Sequence, residues 1–314
     1  MVLLKRLRLE QENVRSALEG GLGCPSRAAD ASELAGALFW FWTKRGLFEE
    51  GERWLARAID VPAPAWVRAR TLIGLAHMQD FQGRHSEAAV TATQALAVGR
   101  EAGDPWAISV ALFLQSLATF QMGTHDVARA CAQEAREVAV AGCEIVEQGG
   151  PLLILGNLAL NGGDHRGAQQ LFDESIEVHR RGGDAWGLAI LLSIAAGLRI
   201  LRDDFGEAAA QAAEALELSE ALEDPRGVAW SLEVFAGLLA AKGCADAAAR
   251  IWGASDALLE SAGGAVLPTI GWIRDRYVES TIGLLGEPRF TGERAAGRAM
   301  STAQAIAFVR RSNV

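Results

Sequence analysis

A six-residue turn returns along this chain at a fixed interval of 40 residues. The clearest copies are Gly83-Arg84-His85-Ser86-Glu87-Ala88, Gly123-Thr124-His125-Asp126-Val127-Ala128 and Gly163-Asp164-His165-Arg166-Gly167-Ala168. Asp203-Asp204-Phe205-Gly206-Glu207-Ala208 and Gly243-Cys244-Ala245-Asp246-Ala247-Ala248 are two weaker ones. A constant period in this range marks an array of supersecondary units, each too small to bury its apolar face alone. The array also accounts for the length, because 314 residues with 50% hydrophobic content need no single large core when each unit packs on its neighbours.

The register predicts two helices per unit. The first opens near 65, 105, 145, 185 and 225, with Asp104, Asp184 and Asp224 placed to cap it and Glu144 as a poorer substitute. Pro105 and Pro225 follow at the first helical position, where a missing N–H costs nothing. Trp66, Trp106 and Trp186 share one column. Leu72, Leu112, Leu152, Leu192 and Leu232 share another, followed four residues on by the small Ala76, Ser116, Gly156, Ala196 and Ala236. A large and a small residue on one helical face let the paired helix approach closely. The second helix follows the turn, with Thr124, Asp164 and Asp204 as expected caps; Arg84 and Cys244 are poor ones. It carries two small columns, Ala88, Ala128, Ala168, Ala208, Ala248 and Ala95, Ala135, Ser175, Ala215, Ser255.

Outside the array the pattern changes. Residues 1–24 read as a lead-in, one helix over 3–19 broken by Gly20-Gly21-Leu22-Gly23, and the repeats occupy 25–264, beginning with helices over about 30–45 and 47–60. Residues 265–314 read as a cap: a helix around 269–285, a break at Gly286-Glu287-Pro288, and a last helix opening with the capping box Ser301-Thr302-Ala303-Gln304. Phe39, Trp40, Phe41, Trp42 and Trp54 read as the core of the first helix pair.

The columns resemble the tetratricopeptide repeat (TPR), in which a glycine turn leads to an aromatic and then an alanine; His85, His125 and His165 stand in for that aromatic, and Phe205 keeps it. The resemblance implies an all-α fold: a right-handed TPR-like α-solenoid of about six helical hairpins, closed by a C-terminal helical cap. HEAT-type arrays run near the same period but lack the spacing from glycine turn to alanine. A narrower resemblance is to the helical-repeat arm of bacterial LuxR/AfsR-type regulators, which carry a STAND ATPase ahead of the repeats. It rests on 9–18 (LEQENVRSAL), on Phe41-Trp42, Arg45-Gly46 and 50–55 (EGERWL), and late in the chain on 249–254 (ARIWGA), 285–287 (LGE) and 297–301 (GRAMS). The ATPase and the DNA-binding helix-turn-helix of that family are absent from these residues.

No catalytic signature accompanies the repeats. None of Lys5, Lys44 and Lys242 has a P-loop context, and no Gly-x-Ser-x-Gly or His-Glu-x-x-His occurs. No enzyme, cofactor or metal is therefore expected; the histidine column supplies too few ligands for zinc. The net charge of −9 argues against a nucleic-acid surface, and the five tail arginines (Arg289, Arg294, Arg298, Arg310, Arg311) are diluted by Glu287 and Glu293. Cys24, Cys131, Cys143 and Cys244 form no Cys-x-x-Cys pair, and neither a signal peptide nor a membrane span is legible, which makes a cytoplasmic setting the expectation.

The functional expectation is binding. In TPR arrays the first helices line the concave face, and the register places Ile73, His77, Asp80, Phe113, Leu117, Phe120, Leu153, Asn157, Leu160, Ser193, Ile200, Trp230 and Glu233 there, with Gln121 and Asn161 beside them. An apolar middle with amides suits an amphipathic helix or extended peptide, and a small signalling ligand is the second fit. The resemblance implies the signal-sensing or protein-docking arm of a transcriptional regulator, with an upstream ATPase as partner in a longer chain. The alternative is a stand-alone scaffold that binds a peptide in the groove.

Overall fold

Every 20 residues the backbone turns through one residue in the left-handed region. The computed structural model describes residues 2–142, 145–264 and 267–312. At this spacing φ is positive at Gly83, Gly103, Gly123, Gly163, Gly183, Asp203, Glu223, Gly243 and Gly263, between 54° and 80°, and off the series also at Gly46 and Gly286. Position 143 of this series, a cysteine, lies outside the described residues, as does Glu144. At the five turns within hairpins from Gly83 to Gly243 the next N–H bonds the carbonyl five residues back: Arg84 to Gln79, Thr124 to Thr119, Asp164 to Ala159, Asp204 to Arg199 and Cys244 to Leu239, at 2.8 to 3.0 Å. This closure satisfies carbonyls that a helix end leaves free. Glycine adopts the conformation without a Cβ penalty.

The turns separate seventeen α-helices, with no strand among the described residues. Contacts divide the chain into two units, Met1–Gly182 and Gly183–Val314. The first holds α1 (Val2–Leu9), α2 (Gln11–Leu22) and four hairpins: α3 (Ala28–Arg45) with α4 (Phe48–Ile59), α5 (Ala65–Phe81) with α6 (His85–Ala102), α7 (Pro105–Gln121) with α8 (His125–Gly142), and α9 (Gly149–Asn161) with α10 (His165–Gly182). The second holds two hairpins, α11 (Ala185–Leu201) with α12 (Phe205–Ala221) and α13 (Pro225–Ala241) with α14 (Ala245–Ser261), then α15 (Pro268–Leu285), α16 (Glu287–Arg298) and α17 (Thr302–Arg311). The lead-in thus belongs with the first four hairpins, and the tail helices with the last two.

The small columns are where paired helices cross. The leucine column, the alanine column and the Ala95-to-Ser255 column are all buried. At four crossings a serine hydroxyl donates to a carbonyl of the partner helix: Ser32 to Ala58, Ser109 to Ala135, Ser175 to Gly149 and Ser255 to Ala229, at 2.8 to 3.1 Å. A larger residue there would push the helices apart and leave these hydroxyls unpaired. Within each unit the tryptophan column ties one hairpin to the next: Trp106 Nε1 donates to Glu147 and Trp186 Nε1 to Asp224, at 3.1 and 3.0 Å.

Several local expectations change. Residues 3–19 form two helices, since Glu10 leaves helical geometry between α1 and α2. Gly20 and Gly21 lie inside α2, where Gly21 lets the backbone meet Ala31: a Cβ built on it would sit 2.6 Å from the Ala31 Cβ. The helix expected from 145 begins as a 3₁₀ turn, Ile145–Gln148, and turns α-helical only at Gly149. Pro151 accounts for this, since its ring would clash with the carbonyl four residues back if the α-helix began earlier. Asp104, Asp164 and Asp224 do cap, accepting from the N–H groups of Ala107, Gly167 and Arg226. Thr124 instead donates to the Thr119 carbonyl, Asp204 accepts from Arg199, and Asp184 makes no side-chain cap bond. The capping box at Ser301 and Gln304 forms with both bonds.

Helix α16 was not expected between the break and Ser301. It packs on α14 at nearly minimal distance, since a Cβ on Gly297 would lie 1.8 Å from the Arg250 carbonyl oxygen and one on Gly253 2.1 Å from that of Arg294. Four tail arginines meet acids of the repeats: Arg289 with Asp246, Arg294 with Asp256, Arg298 with Glu260 and Arg310 with Glu220. The five-arginine cluster is a set of clasps more than a free basic surface.

Asp203 and Glu223 hold the left-handed φ, 58° and 54°, that glycine holds elsewhere in the series. Asp203→Gly and Glu223→Gly should therefore each raise stability by about 1 kcal/mol, whereas Gly163→Ala should lower it by a similar amount. Urea unfolding of the three variants checks this, and a loss of stability in both glycine variants would show that the turns are held by their side chains.

Candidate functional site

In the first unit the sequence-predicted row splits into covered and open parts. Ile73 and His77, on α5, are buried, because α3 lies over them. Phe39 and Trp40 of α3 pack their rings on His77 with centroids 5.7 and 5.2 Å away, and Phe81 stacks on it at 5.1 Å. Neither Ile73 nor His77 lines an open groove. Phe39, Phe41, Trp42 and Trp54 are buried as expected of a core, while Trp40 stays 39% exposed with the Lys44 ammonium 5.8 Å from its ring centroid.

His77 is chemically unusual. It is 5% exposed, and its Nδ1 has no hydrogen-bond partner among the described residues. Burial pushes its pKa down to about 4, against a weaker opposing pull from Asp80. Asp80 is partly buried and meets the His85 Nδ1 at 2.9 Å, a hydrogen bond that raises the His85 pKa. The turn histidines differ from one another: His85 pairs with Asp80, and His125 stacks on Phe120 at 5.6 Å. No group of three or more His, Cys, Asp or Glu residues comes together among the described residues. Cys24, Cys131 and Cys244 are free thiols.

The open part of the row lies on α7 and α9. Phe113, Leu117 and Phe120 repeat at helical spacing and are half-buried against a small cluster of Ala128, Ala132, Ile154, Leu155 and Leu158. The Phe113 ring covers Gly150, where a Cβ would lie 2.9 Å from it. Leu153 and Leu160 on α9 are also half-buried, Gln121 is half-exposed and Asn161 exposed, whereas Asn157 is buried between them. The result is an apolar strip edged by two amides.

In the second unit the corresponding face is occupied. Helix α15 crosses α11 and α13, and Ile273 fits a notch formed by Gly197 and Gly237: Cβ atoms built there would lie 2.6 and 2.1 Å from its side chain. Arg274 reaches Glu233 on α13 through two bonds, Nε to Oε1 at 2.7 Å and Nη2 to Oε2 at 2.5 Å. Its Nη1 also donates to Asp256 on α14 at 2.7 Å. Glu233 is fully buried, and burial raises its pKa against the attraction of Arg274. Ser193, Ile200 and Trp230 are buried with it. These four residues therefore line no open surface: an eighteen-residue helix of the same unit lies where the register placed a groove. Ile273, Arg274 and Asp256 escaped the sequence reading; the pair of glycines in one column, Gly197 and Gly237, was the available signal.

No protein-family model and no curated protein matches this chain in sequence. In structure it is similar to a Rap protein complexed with Competence and Sporulation Factor, with TM-score 0.64 and 15% identity over 88% of this chain and 74% of that one. It is also similar to a signal transduction ATPase with numerous domains (STAND) from Pyrococcus horikoshii that has a tetratricopeptide repeat sensor, with TM-score 0.55 and 13% identity. That match covers 98% of this chain but 48% of the ATPase, so the chain spans about half the length of that protein. A third similar structure is BtubC from P. vanneervenii, with TM-score 0.50, 19% identity and coverage of 70% and 92%. At such identities the likeness is one of fold. The fold is an all-α, TPR-like helical-repeat array.

The His77 geometry has a consequence in acid. Its imidazole protonates in the unfolded chain near 6.5 but in the folded one only near 4, so the stabilisation is complete above 6.5 and is lost as pH falls to 4. The difference corresponds to roughly 3 kcal/mol. His77→Phe should flatten the pH dependence of unfolding between 6.5 and 4, and an unchanged slope would mean that His77 takes up a proton without loss of packing.

Proposed function

We propose that this chain is the signal-sensing or protein-docking arm of a bacterial transcriptional regulator, and that it receives a partner on the α7–α9 strip of its first unit. The strip carries the reading. Phe113, Leu117, Phe120, Leu153 and Leu160 present apolar surface, while Gln121 and Asn161 offer amides that can bond an extended backbone or the polar edge of a helix. Asp80 adds a carboxylate toward one end, on α5. Such a strip binds by burying apolar area, which favours recognition over catalysis.

Two similar structures support the wider reading. The STAND ATPase carries its tetratricopeptide repeats as a sensor, and the Rap protein was solved with Competence and Sporulation Factor bound. Comparable roles here make the protein a non-catalytic binding module that acts on an attached or separate ATPase switch. A stand-alone scaffold that binds a peptide on the same strip is the second reading, and the same fold supports it equally.

A photo-crosslinking residue placed at Phe120 in living cells should give discrete adducts that vanish in the Leu117→Glu variant. The same probe at Val140, 63% exposed on α8, should not give them. Identical adducts from both positions would remove the strip from consideration. Transcript levels in cells carrying Leu117→Glu then separate the two readings. A regulator arm changes them, whereas a scaffold loses its adducts and leaves transcription as it was.

A further inference from the structure

The second unit carries its own helix in a seat built for one, and the seat has a definite chemistry. The glycines at 197 and 237 leave a notch one isoleucine deep, filled by Ile273. The next residue, Arg274, is held between Glu233 and Asp256. A β-branched apolar residue followed by arginine, on one helix, is therefore the pattern that this face reads.

Helix α15 is fixed in register but lightly held. Among its described side chains only Ile270, Ile273 and Thr281 are buried, and Leu284 is 69% exposed. Its firmest polar contact is the Arg274–Glu233 pair, and a buried ion pair selects register far more than it adds stability, because both charges are stripped of water. If α15 lifts, Glu233 and Arg274 both regain solvent, which offsets much of the lost attraction. The helix that follows stays anchored without it. Helix α16 is locked on α14 through Gly253 and Gly297, and Arg298 meets Glu260 at 2.5 Å. Gly286, at φ 75° and ψ 149°, is the single residue between α15 and α16, in a region open to glycine and strained for other residues. Helix α15 is a strap whose C-terminal end is anchored through α16.

We infer that α15 is an exchangeable occupant of the α11–α13 face, and that the face binds a partner helix carrying a β-branched residue followed by arginine, which displaces α15. The partner supplies the same two anchors to Gly197, Gly237, Glu233 and Asp256, and the free α15 then exposes its own Ile-Arg pair. This site is distinct from the α7–α9 strip and does not depend on it.

The test uses the full chain and a labelled peptide of residues 268–285. Arg274→Glu in the chain sets a carboxylate against Glu233 and Asp256, which expels the resident helix and leaves the seat intact. The wild-type peptide should bind this variant at least tenfold more tightly than the wild-type chain, by fluorescence anisotropy, and a peptide carrying R274E should bind neither. Equal binding to both chains, or a loss of helical circular dichroism well beyond the 18 residues of α15, overturns the proposal by making α15 an integral part of the fold. Hydrogen exchange on the wild-type chain decides independently of any variant. The α15 amides should exchange at least tenfold faster than those of α13 and α14, and exchange in step with α13 would equally overturn it.

Discussion

The left-handed residue that recurs every 20 positions is the constraint on which the rest of the molecule depends. It ends each helix at a set length, and the bond from the following N–H to the carbonyl five residues back closes the turn without help from a side chain. Because closure is a backbone property, the residue after the glycine is free to vary. Arg84, Thr124, Asp164, Asp204 and Cys244 occupy that place in successive units, yet only Asp164 caps the following helix through its side chain. Set helix lengths then bring the same register positions to the same crossing in every hairpin. That is why alanine and serine columns, and not large apolar residues, sit at the crossings.

One column shows how such a scaffold acquires different faces. At the position of His77 the later hairpins carry Leu117, Asn157, Gly197 and Gly237. In the first unit a side chain fills the space: His77 disappears under aromatics, Leu117 forms part of an apolar strip, and Asn157 is buried among leucines. In the second unit the side chain is gone and a helix backbone comes close enough to place Ile273 in the gap. Loss of the whole side chain at two positions of one column thus converts a packed surface into a seat. Glu233, one turn earlier, makes that seat selective, since a carboxylate this deeply buried demands a cation at that place.

The architecture was legible in the sequence because it rests on local rules repeated many times. Period, turn glycines, crossing columns, the proline starts at 105 and 225 and the Ser301 capping box each follow from geometry within a few residues. The irregular start at 149 was legible in principle through Pro151, although the 40-residue register alone points to 145. Helix α16 was obscured by Glu287-Pro288, which reads as a break and in fact opens the helix, with proline in the first turn where its missing N–H costs nothing. The candidate face was only partly legible. Register gives the side of a helix a residue occupies, but not what lies over it. His77 is covered by a neighbouring hairpin, and Glu233 by a helix more than thirty residues further along.

The two faces differ in how they can discriminate among ligands. The α7–α9 strip, the proposed partner site, offers apolar area and amides, so related sequences of similar size would bind it with similar strength, each added methylene contributing about 0.8 kcal/mol. The α11–α13 seat discriminates by exclusion. A notch one isoleucine deep rejects bulky aromatics, and a helix without arginine would leave Glu233 buried without its cation, at a cost of several kcal/mol. An ion pair that adds little net stability can therefore set most of the specificity, because the penalty falls on the wrong ligand. Arg274 is the residue whose loss the seat tolerates least, and the one whose replacement by a partner's arginine it registers least.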